Sequence, residues 1–495
     1  MELEVIIGLE IHVQLKTKSK MFCSCANVND GAMANSAVCP ICLGHPGTLP
    51  AVNEQAIKLG MSLASAINCQ INQTSIWARK HYFYPDLPKG YQISQYLEPL
   101  AEHGQVDVFV DDDYKKIGIT RLHLEEDAAK VFRVDGATLV DFNRGGTPLA
   151  EIVTEPDFRS PAQAKAFLQE LRLIARYLDV SDADMEKGQL RCDANISLRP
   201  LGDEKLYPKT EIKNINSFKS VERALKYEIT RQTDLWQKGT PEAIQSTRGW
   251  DENAGVTILQ RTKEQASDYR YYPDPDLTPL IVSEEEINAT IRYLPELPSV
   301  KRKRFIEEYL LSRVDASILV EDKRLADFFE KVISEAREDW LDFVSNQEGD
   351  WENSKGKLTK LAFGWIQSEL FKLMNESGQK ISDIKILPDM FARFLASLYK
   401  RQVNSTTGQI LLRKMFETGK EPLDILETEN LSQVTDSNEL AMVVDKIIIS
   451  SPTQVEDYKN GKVVILKYLI GLAMKETKGK ADPVLLESLF KAKLG

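Results

Sequence analysis

The first twenty residues contain a stretch that alternates apolar and polar side chains. In GLEIHVQL, at residues 8–15, Glu10, His12 and Gln14 alternate with Leu and Ile or Val. A period of two places the apolar residues on a core face and sets the carboxylate and the imidazole side by side on the opposite face. We predict a β-strand with one buried and one polar face.

Three later stretches repeat this alternation with similar polar residues. They place on one face the residues Arg121, His123 and Glu125 in RLHLEED, Arg191, Asp193, Asn195 and Ser197 in RCDANISL, and Glu211 and Lys213 in TEIKN. If these strands share a sheet, their polar faces form one surface of mixed charge suited to a hard cation and phosphate. The alternative is an ordinary solvated sheet face.

The remaining pattern predicts helices, a hairpin and two loops. Apolar residues recur at helical spacing over 51–69, 161–180 and 218–239, and residues 106–127 are typical of a hairpin. RKHYFYPDLPKGYQISQY, at 79–96, contains two prolines and a glycine and is predicted to be a rigid, aromatic, polar loop. Residues 339–357 are predicted to be a loop insertion.

The pattern divides the chain into three regions. Mixed strands and helices fill residues 1–293, and a purely helical pattern begins after two prolines and the basic run KRKR. We predict a helical domain over 294–405 and a small all-helical tail over 406–495. The last 45 residues hold eight lysines against five acidic residues. Lys475, Lys478 and Lys480 are candidate contacts for a phosphate backbone, or part of a solvated helix face.

Composition limits the class of protein. With 495 residues, 42% of them hydrophobic, the chain can build several sizeable cores. The net charge of −11 argues against a protein that coats nucleic acid without specificity, although a local basic patch can still bind a folded RNA. No apolar run has the length of a membrane span, and the first residues resemble no signal or transit segment, so we expect a cytoplasmic protein without a membrane partner.

Four of the six cysteines lie close together in the sequence. Cys23 and Cys25 form C-x-C, and Cys39 and Cys42 form C-x-x-C after thirteen intervening residues. Four thiolates at this spacing predict a structural zinc site that fixes the loop 21–50. Unligated thiols or a redox pair are the alternatives. Because four sulfurs leave no open coordination position, this zinc would do no chemistry.

A further turn is a candidate anion site. In VDFNRGGTPLAEIV, two glycines follow Arg144, and paired glycines let backbone amides approach an anion while the guanidinium binds phosphate bidentately. The chain contains no G-x-x-x-x-G-K-[ST] sequence and no strand-linked G-x-G-x-x-G. A nucleotide would therefore be bound through metal, arginine and lysine on a sheet rather than by a P-loop or a dinucleotide fold.

Taken together, the motifs resemble one protein family. These are GLEIHVQL, the cysteine cluster, KHYFYPDLPKGYQISQY, VDFNRGGTPLAEIVTEPD, RCDANISL, TEIKNINSFKSVERALKYE and DYRYYPDPDL. In this order they closely resemble the GatB family, the B subunit of the aspartyl/glutamyl-tRNA(Asn/Gln) amidotransferase, and the likeness runs from end to end. It implies an α+β fold: a cradle-shaped catalytic domain built on an antiparallel sheet, a helical domain and a mobile tRNA-binding tail.

The resemblance also implies a reaction and its components. The side-chain carboxylate of Glu or Asp mischarged onto tRNA attacks the γ-phosphate of ATP, and the acyl phosphate is then aminated. In this family ammonia comes from glutamine hydrolysed in a separate amidase subunit, and the two larger subunits of the heterotrimer are bridged by a small third one. ATP and Mg²⁺ are the implied cofactors, beside the structural Zn²⁺ that the cysteine spacing predicts.

We assign the site residues by combining this chemistry with the strand pattern. Mg²⁺ is assigned to His12, Glu125 and Glu151, and Glu10 and Asp193 serve as further or water-mediated ligands. Because histidine is unusual for Mg²⁺, a site that tolerates Mn²⁺ is the alternative. The predicted phosphate contacts are Arg144, Arg191 and Lys213, and the family implies that Lys89 and Glu126 form a gated salt bridge at the mouth of the ammonia channel.

Two other functions are weighed against this one. A noncatalytic, zinc-stabilised RNA-binding scaffold would use the charged sheet face for RNA, but Glu10, Glu125 and Glu151 would repel phosphate unless a metal intervenes. A metal-dependent ligase acting on a small free carboxylate would have no use for a basic helical tail.

Overall fold

We describe the fold from a computed structural model of the chain. It describes residues 2–28, 31–110, 113–263, 269–338, 351–429, 437–477 and 481–495. Two compact units divide the chain, Met1–Ser299 and Val300–Gly495. The predicted boundaries after residues 293 and 405 stay predictions. Among the described residues, no helix combines the length and the apolar character that crossing a membrane requires.

Among the described residues, every strand belongs to the first unit. In chain order they are β1 (Leu3–Gln14), β2 (Gln70–Ile71), β3 (Thr74–Ser75), β4 (Trp77–His81), β5 (Tyr91–Gln95), β6 (Ala101–Val110), β7 (Asp113–Glu126), β8 (Lys130–Val134), β9 (Ala137–Asp141), β10 (Pro148–Thr154), β11 (Leu190–Pro200), β12 (Thr210–Lys213), β13 (Gln245–Asp251), β14 (Val256–Lys263), β15 (Tyr272–Pro273) and β16 (Leu280–Ile281).

Helices occur in both units. In chain order they are α1 (Glu54–Ala66), α2 (Pro161–Tyr177), α3 (Phe218–Gln237), α4 (Glu284–Arg292), α5 (Pro298–Tyr309), α6 (Arg313–Val320), α7 (Lys323–Glu338), α8 (Trp351–Trp365), α9 (Phe371–Ser377), α10 (Pro388–Tyr399), α11 (Ser405–Thr418), α12 (Pro422–Thr428), α13 (Ser437–Ser450), α14 (Pro452–Lys459), α15 (Ile465–Glu476) and α16 (Pro483–Leu494). A π-helical turn, Ile366–Leu370, joins α8 to α9.

One large sheet organises the first unit. Its nine strands follow the order β14-β13-β12-β11-β1-β10-β7-β6-β2. Neighbouring strands run antiparallel, except β12 and β13, which run parallel. The predicted α+β class with an antiparallel sheet is confirmed, and so is the hairpin of β6 and β7.

Strand β1 lies inside this sheet, between β10 and β11. Its residues Leu9, Ile11 and Val13 are buried, as the alternation predicted, while Glu10 and His12 are partly exposed. The buried side chains share one hydrophobic core with residues of α1, α2 and α3. The three predicted helices therefore pack on the apolar face and leave the polar face of the sheet accessible.

The two longest of these helices begin at serine caps. The hydroxyl of Ser160 accepts the backbone N–H of Gln163, and Pro161 follows at the first helical position. Ser217 caps α3 in the same way by accepting the N–H of Ser220. Each cap satisfies a backbone donor that has no partner within the helix, which fixes where the helix starts.

The prediction of a loop over 79–96 was wrong at both ends. Residues 77–81 and 91–95 are the paired strands β4 and β5, and the two prolines lie in the connection between them. The polar side chain of Arg79 on β4 finds its hydrogen-bond partners in a segment that is distant in sequence. It donates to Asp274 over 2.7 Å and to Asp276 over 2.8 Å. Local sequence does not contain these partners.

The second unit is helical, as predicted. Residues 339–350 of the predicted insertion lie outside the described residues, but 351–357 form the first turns of α8 rather than a loop. Ser354, Leu358 and Phe363 are among its buried residues, so this polar-looking segment has a buried stripe. Residues of α13, α15 and α16 share a hydrophobic cluster of their own, with Leu440, Leu469 and Phe490 among its fully buried members.

Candidate active site

Strand pairing brings the predicted metal ligands together. His12 on β1 stands opposite Glu151 on β10, and Glu151 stands opposite His123 on β7. Glu125 lies two residues along β7 from His123 and therefore on the same face. Because directly opposed side chains have Cβ atoms only about 5 Å apart, three neighbouring strands present one group, which we call the carboxylate cluster: His12, His123, Glu125 and Glu151.

Short contacts join the members of the carboxylate cluster. His12 Nε2 lies 3.3 Å from Glu125 Oε1 and 3.2 Å from Glu151 Oε2. His123 Nε2 lies 3.4 Å from Glu151 Oε2 and 3.8 Å from Glu125 Oε2. Both carboxylates and His123 are buried. Two imidazoles thus face two carboxylates in a region from which water is largely excluded.

The carboxylates of the cluster are held in the ionised form. Burial opposes ionisation of Glu125 and so does the charge of Glu151, but the hydrogen bonds and charges of the two histidines outweigh both and lower the pKa of Glu125 to about 2. Burial also opposes ionisation of Glu151, but the charges and hydrogen bonds of the same two histidines outweigh it and hold the pKa of Glu151 well below its ordinary value. Glu10 differs: burial and the charge of Glu151 raise its pKa.

The cluster suits a divalent cation. Ligand atoms of His12, Glu151 and Glu10 lie within 4.8 Å of one another, and so do those of His123, Glu125 and Glu151. The separations of 3.2 and 3.3 Å from His12 to the carboxylate oxygens are close to the ~3 Å between adjacent ligands of octahedral Mg²⁺. The mixture of imidazole and carboxylate also suits Mn²⁺.

Each of the three predicted phosphate-binding cations contacts a carboxylate, and Arg191 stands opposite His12 in the pairing of β11 with β1. Arg191 Nη2 donates to Asp127 Oδ2 over 2.8 Å, and Arg144 Nε lies 3.6 Å from the same oxygen. Lys213 Nζ donates to Asp193 Oδ2 and lies 3.3 Å from Glu211 Oε1. Part of their charge is therefore already neutralised by neighbours.

Lys89 and Glu126 form the predicted ion pair. Lys89 Nζ donates to Glu126 Oε1, which also accepts the backbone N–H of Ile93 over 3.0 Å. Both side chains are nearly inaccessible, at 10% and 5% exposure. Since Glu126 follows Glu125 along β7, its side chain points to the other face, and the pair lies beside the carboxylate cluster without joining it.

A cavity of about 260 Å³ opens over the carboxylate cluster. Aromatic rings form one side of it: Tyr96 and Tyr271 stack with centroids 4.1 Å apart, and Tyr269 meets Tyr271 edge to face at 6.2 Å. The cavity is lined by Glu10, Lys80, Ser94, Gln95, Tyr96, Arg121, His123, Glu125, Glu151, Glu211, Lys213, Arg261, Tyr269 and Tyr271. Polar residues dominate this lining, as expected for a charged ligand.

The four clustered cysteines meet as predicted. One sulfur from each of Cys23, Cys25, Cys39 and Cys42 lies within 4.8 Å of the others, a spacing compatible with the ~3.8 Å between thiolates in a tetrahedral zinc site. The hydrogen bond from Cys23, the backbone N–H of Cys39 and the charge of Lys20 outweigh burial and lower the pKa of the Cys42 thiol to about 4, whereas that hydrogen bond and burial raise the pKa of Cys23. A thiolate is the form that binds zinc.

Residues 21–50, which we call the cysteine loop, are tied to the turn that carries Arg144. The fully buried Lys20 places its Nζ 3.7 Å from Cys42 Sγ and donates to the carbonyl oxygen of Phe142 over 3.1 Å. Asn143 Nδ2 donates to the Met33 carbonyl over 2.8 Å. A metal that fixes the cysteine loop would therefore also fix this turn.

Comparisons with known proteins agree with this arrangement. A family described as GatB/GatE catalytic domain matches residues 5–288, and one described as GatB domain matches residues 352–494. Proteins named as the B subunit of aspartyl/glutamyl-tRNA(Asn/Gln) amidotransferase are similar over nearly their whole length. That of Persephonella marina is 46% identical over 99% of both chains. That of Thermoanaerobacter pseudethanolicus is 44% identical over 100% of both. The chain belongs to the GatB family.

Membership in the GatB family supports the interpretation of the sheet face as part of an enzyme. Three residues of this site were not predicted from the sequence. His123 was recognised on the polar face but given no role, although it contacts both carboxylates of the cluster. Asp127, which holds Arg191, is the last residue of the RLHLEED motif but was given no role. Lys80 was visible only as one of many polar residues in 79–96, and its place beside the cavity depends on the pairing of β4 with β5.

The tail residues are placed only in part. Lys475 lies in the last turn of α15. Lys478 and Lys480 lie outside the described residues, so the predicted basic contact with tRNA in this member of the GatB family stays a prediction.

Proposed function

We propose that this chain is the kinase and transamidase subunit of a glutamine-dependent tRNA amidotransferase. In this proposal, ATP phosphorylates the side-chain carboxylate of Glu-tRNA(Gln) and/or Asp-tRNA(Asn). Ammonia released by a partner amidase then displaces phosphate to give Gln-tRNA(Gln) and/or Asn-tRNA(Asn). The observation that carries the proposal is the buried carboxylate cluster beneath a polar cavity, in a chain that belongs to the GatB family.

The chemistry requires such a cluster. A carboxylate is a poor electrophile because its oxygen is a poor leaving group, and phosphorylation converts that oxygen into a good one. His12, Glu125 and Glu151 would hold Mg²⁺, with Glu10 nearby. When bound, Mg²⁺ would neutralise charge as the two anionic reactants approach. His123, in contact with both glutamates, keeps them oriented and ionised.

The three cations Arg144, Arg191 and Lys213 would orient the reactants. Arg191 and Arg144 meet at Asp127, and Lys213 meets Asp193, so their side chains have defined positions before substrate binds. Preorganised donors lose little entropy on binding phosphate. We assign these three residues to the phosphates of ATP and keep Asp193 as a ligand through water.

The Lys89–Glu126 pair is our candidate for the gate through which ammonia enters. Its members are nearly inaccessible, and Glu126 is the direct neighbour of Glu125 in sequence. In this proposal, opening the pair would let ammonia reach the cavity. Ammonia would come from a partner amidase subunit, with a small third subunit that completes the heterotrimer.

The other components of the proposal follow from the site chemistry. The four cysteines would hold one structural Zn²⁺. The basic tail, including Lys475, Lys478 and Lys480, would contact the phosphate backbone of the mischarged tRNA. We place the protein in the cytoplasm, where aminoacyl-tRNA is made and used.

The test is formation of ADP by the heterotrimer. The complex, supplied with ATP, ammonium and mischarged tRNA, should release ADP only when mischarged tRNA is present. Glu125→Gln removes one ionised carboxylate without changing shape and should slow ADP formation by at least about 100-fold while tRNA binding persists.

Glu155→Gln is the matched control. Glu155 lies just after β10 and accepts the hydroxyl of Thr120 over 2.7 Å, away from the cavity lining. Its variant should cleave ATP at the wild-type rate. If wild type forms no ADP while binding tRNA, the protein is a scaffold and the proposed function is wrong; if Glu125→Gln retains full activity, the cluster is not the site of phosphoryl transfer.

A further inference from the structure

The cations near the carboxylate cluster differ in how far neighbouring carboxylates neutralise them. Arg144 and Arg191 share Asp127, and Lys213 contacts Asp193 and Glu211. A cation that already contacts a carboxylate offers less charge to an incoming phosphate, because binding must compete with or share that partner. The sequence motifs selected these residues before their partners were known.

Lys80 lines the cavity over the carboxylate cluster, as Lys213 does, but has no such partner. It is near the end of β4, opposite Gln92 on β5. In the part of the chain that the structure describes, no carboxylate oxygen lies within 4 Å of its ammonium group. Its Nζ instead lies over the ring of Tyr269, 5.1 Å from the centroid, and 6.0 Å from the ring centroid of Tyr82.

The surroundings of Lys80 maintain its charge. Burial lowers the pKa of this ammonium group, but the negative charges of Glu125 and Glu151, which line the same cavity, outweigh burial and raise the pKa above its ordinary value. The faces of the two tyrosines add cation–π attraction. Lys80 is therefore a protonated lysine that shares one cavity with the carboxylate cluster.

We propose that Lys80 is a catalytic residue that binds the phosphoryl group as it moves from ATP to the substrate carboxylate. This inference rests on the proposed function. An oxygen of the substrate carboxylate forms a bond to the γ-phosphorus, the bond from that phosphorus to the β,γ-bridging oxygen breaks, and ADP leaves with the electron pair. Lys80 stays protonated throughout and donates hydrogen bonds to the oxygens of the transferred group.

The arrangement explains why a cation is needed at this position. Glu10, Glu125 and Glu151 line one side of the cavity and would repel both the triphosphate and the substrate carboxylate. A divalent ion neutralises that side only. Lys80 adds positive charge to the lining, which also contains Arg121, Lys213 and Arg261, and it does so from a position over the ring of Tyr269 rather than beside a carboxylate. Charge placed in such a preorganised site is worth about 10² to 10³ in rate.

The experiment compares three lysine variants in the heterotrimer. Lys80→Met keeps the length of the side chain but removes the charge, and Lys80→Arg restores a charge. Lys58→Met, on the exposed face of α1, is the control for loss of a lysine outside the site. The readouts are the kcat and KM for ATP in ADP formation dependent on mischarged tRNA, and the binding of Mn²⁺ without ATP.

We expect Lys80→Met to lower kcat by about 10² to 10³, with a smaller change in the KM for ATP, partial recovery in Lys80→Arg and wild-type rates in Lys58→Met. Mn²⁺ binding should be unchanged or tighter, because a positive charge facing the metal ligands has been removed.

Three results would count against the inference. A loss of kcat below about tenfold in Lys80→Met would overturn it, because a preorganised charge is worth more. Weakened Mn²⁺ binding in Lys80→Met would also overturn it, since that result identifies a structural lysine. If wild type itself forms no ADP, both this inference and the proposed function fail, whereas an active wild type with an active Lys80→Met refutes this inference alone.

Discussion

The cysteine loop makes one very close backbone contact with the Lys89–Glu126 pair. Gly44 has a φ of 69°, and a Cβ placed on it would lie 2.7 Å from Lys89 Cγ and 3.0 Å from Lys89 Cα. Gly47, three residues on, has a φ of 82°, but no atom of the described residues lies within 4 Å of its Cβ position. The two glycines share a left-handed backbone conformation, which would strain any residue with a Cβ, and they differ in packing.

This difference in packing predicts that alanine destabilises the protein more at position 44 than at position 47. Alanine in the left-handed region costs roughly 1 to 2 kcal/mol, which applies to both Gly44→Ala and Gly47→Ala. Gly44→Ala also forces a methyl group against the backbone of Lys89, which cannot rotate away as a side-chain tip would. Overpacking of this kind adds about 1 to 3 kcal/mol. We therefore expect Gly44→Ala to cost about 2 to 5 kcal/mol and Gly47→Ala about 1 to 2.

Native-state hydrogen exchange of the zinc-loaded chain measures these costs locally. Gly44→Ala should lower the free energy of opening in two segments, the cysteine loop around 39–48 and the β5 segment around 89–93. Gly47→Ala should lower it in the cysteine loop only. Equal protection of 89–93 in both variants would refute the reasoning, because it would mean that the cysteine loop does not hold Lys89 in place.

Two further predictions concern charge. Burial raises the pKa of Glu330, but Arg304 and Lys301 outweigh burial and hold that pKa below its ordinary value. Glu330→Gln should therefore melt at a lower temperature than wild type near neutral pH, and the two melting temperatures should converge as pH falls through the glutamate range, where wild type loses the ionised form. Lys20→Met removes the ammonium group beside Cys42. Zinc transfer to a coloured chelator should become about 10 to 100-fold faster, and an unchanged rate would exclude Lys20 as a support of the metal site.

The polar face could be predicted from sequence because a strand has a strict period of two. Once β1, β7 and β11 were recognised, the faces of His12, Glu125 and Arg191 followed directly. The order of strands in the sheet could not be predicted this way. Placing β10 between β1 and β7 is what sets Glu151 opposite both His12 and His123, and the pairing of β1 with β10 joins segments that are far apart in the sequence.

The errors have the same physical origin. Strand β4 looked too polar to pair because the carboxylates that satisfy Arg79 are about 195 residues away. Residues 351–357 looked like a loop because their buried stripe is visible only when the helix continues to Phe363. Asp127 was missed because it follows β7 directly and its role depends on Arg191, which arrives from β11.

The partners of each cation suggest how the site divides its tasks. A face that holds several carboxylates needs positive charge to keep its shape before any metal or substrate binds. Arg191 supplies this charge beside Asp127, and Lys213 supplies it beside Asp193. Cations paired in this way have fixed positions, so they can orient the reactants, but their attraction for an incoming phosphate is reduced. Lys80 is held by tyrosine rings rather than by a carboxylate, which fixes its position and leaves its charge available. Orientation and charge stabilisation can therefore come from different residues of one site.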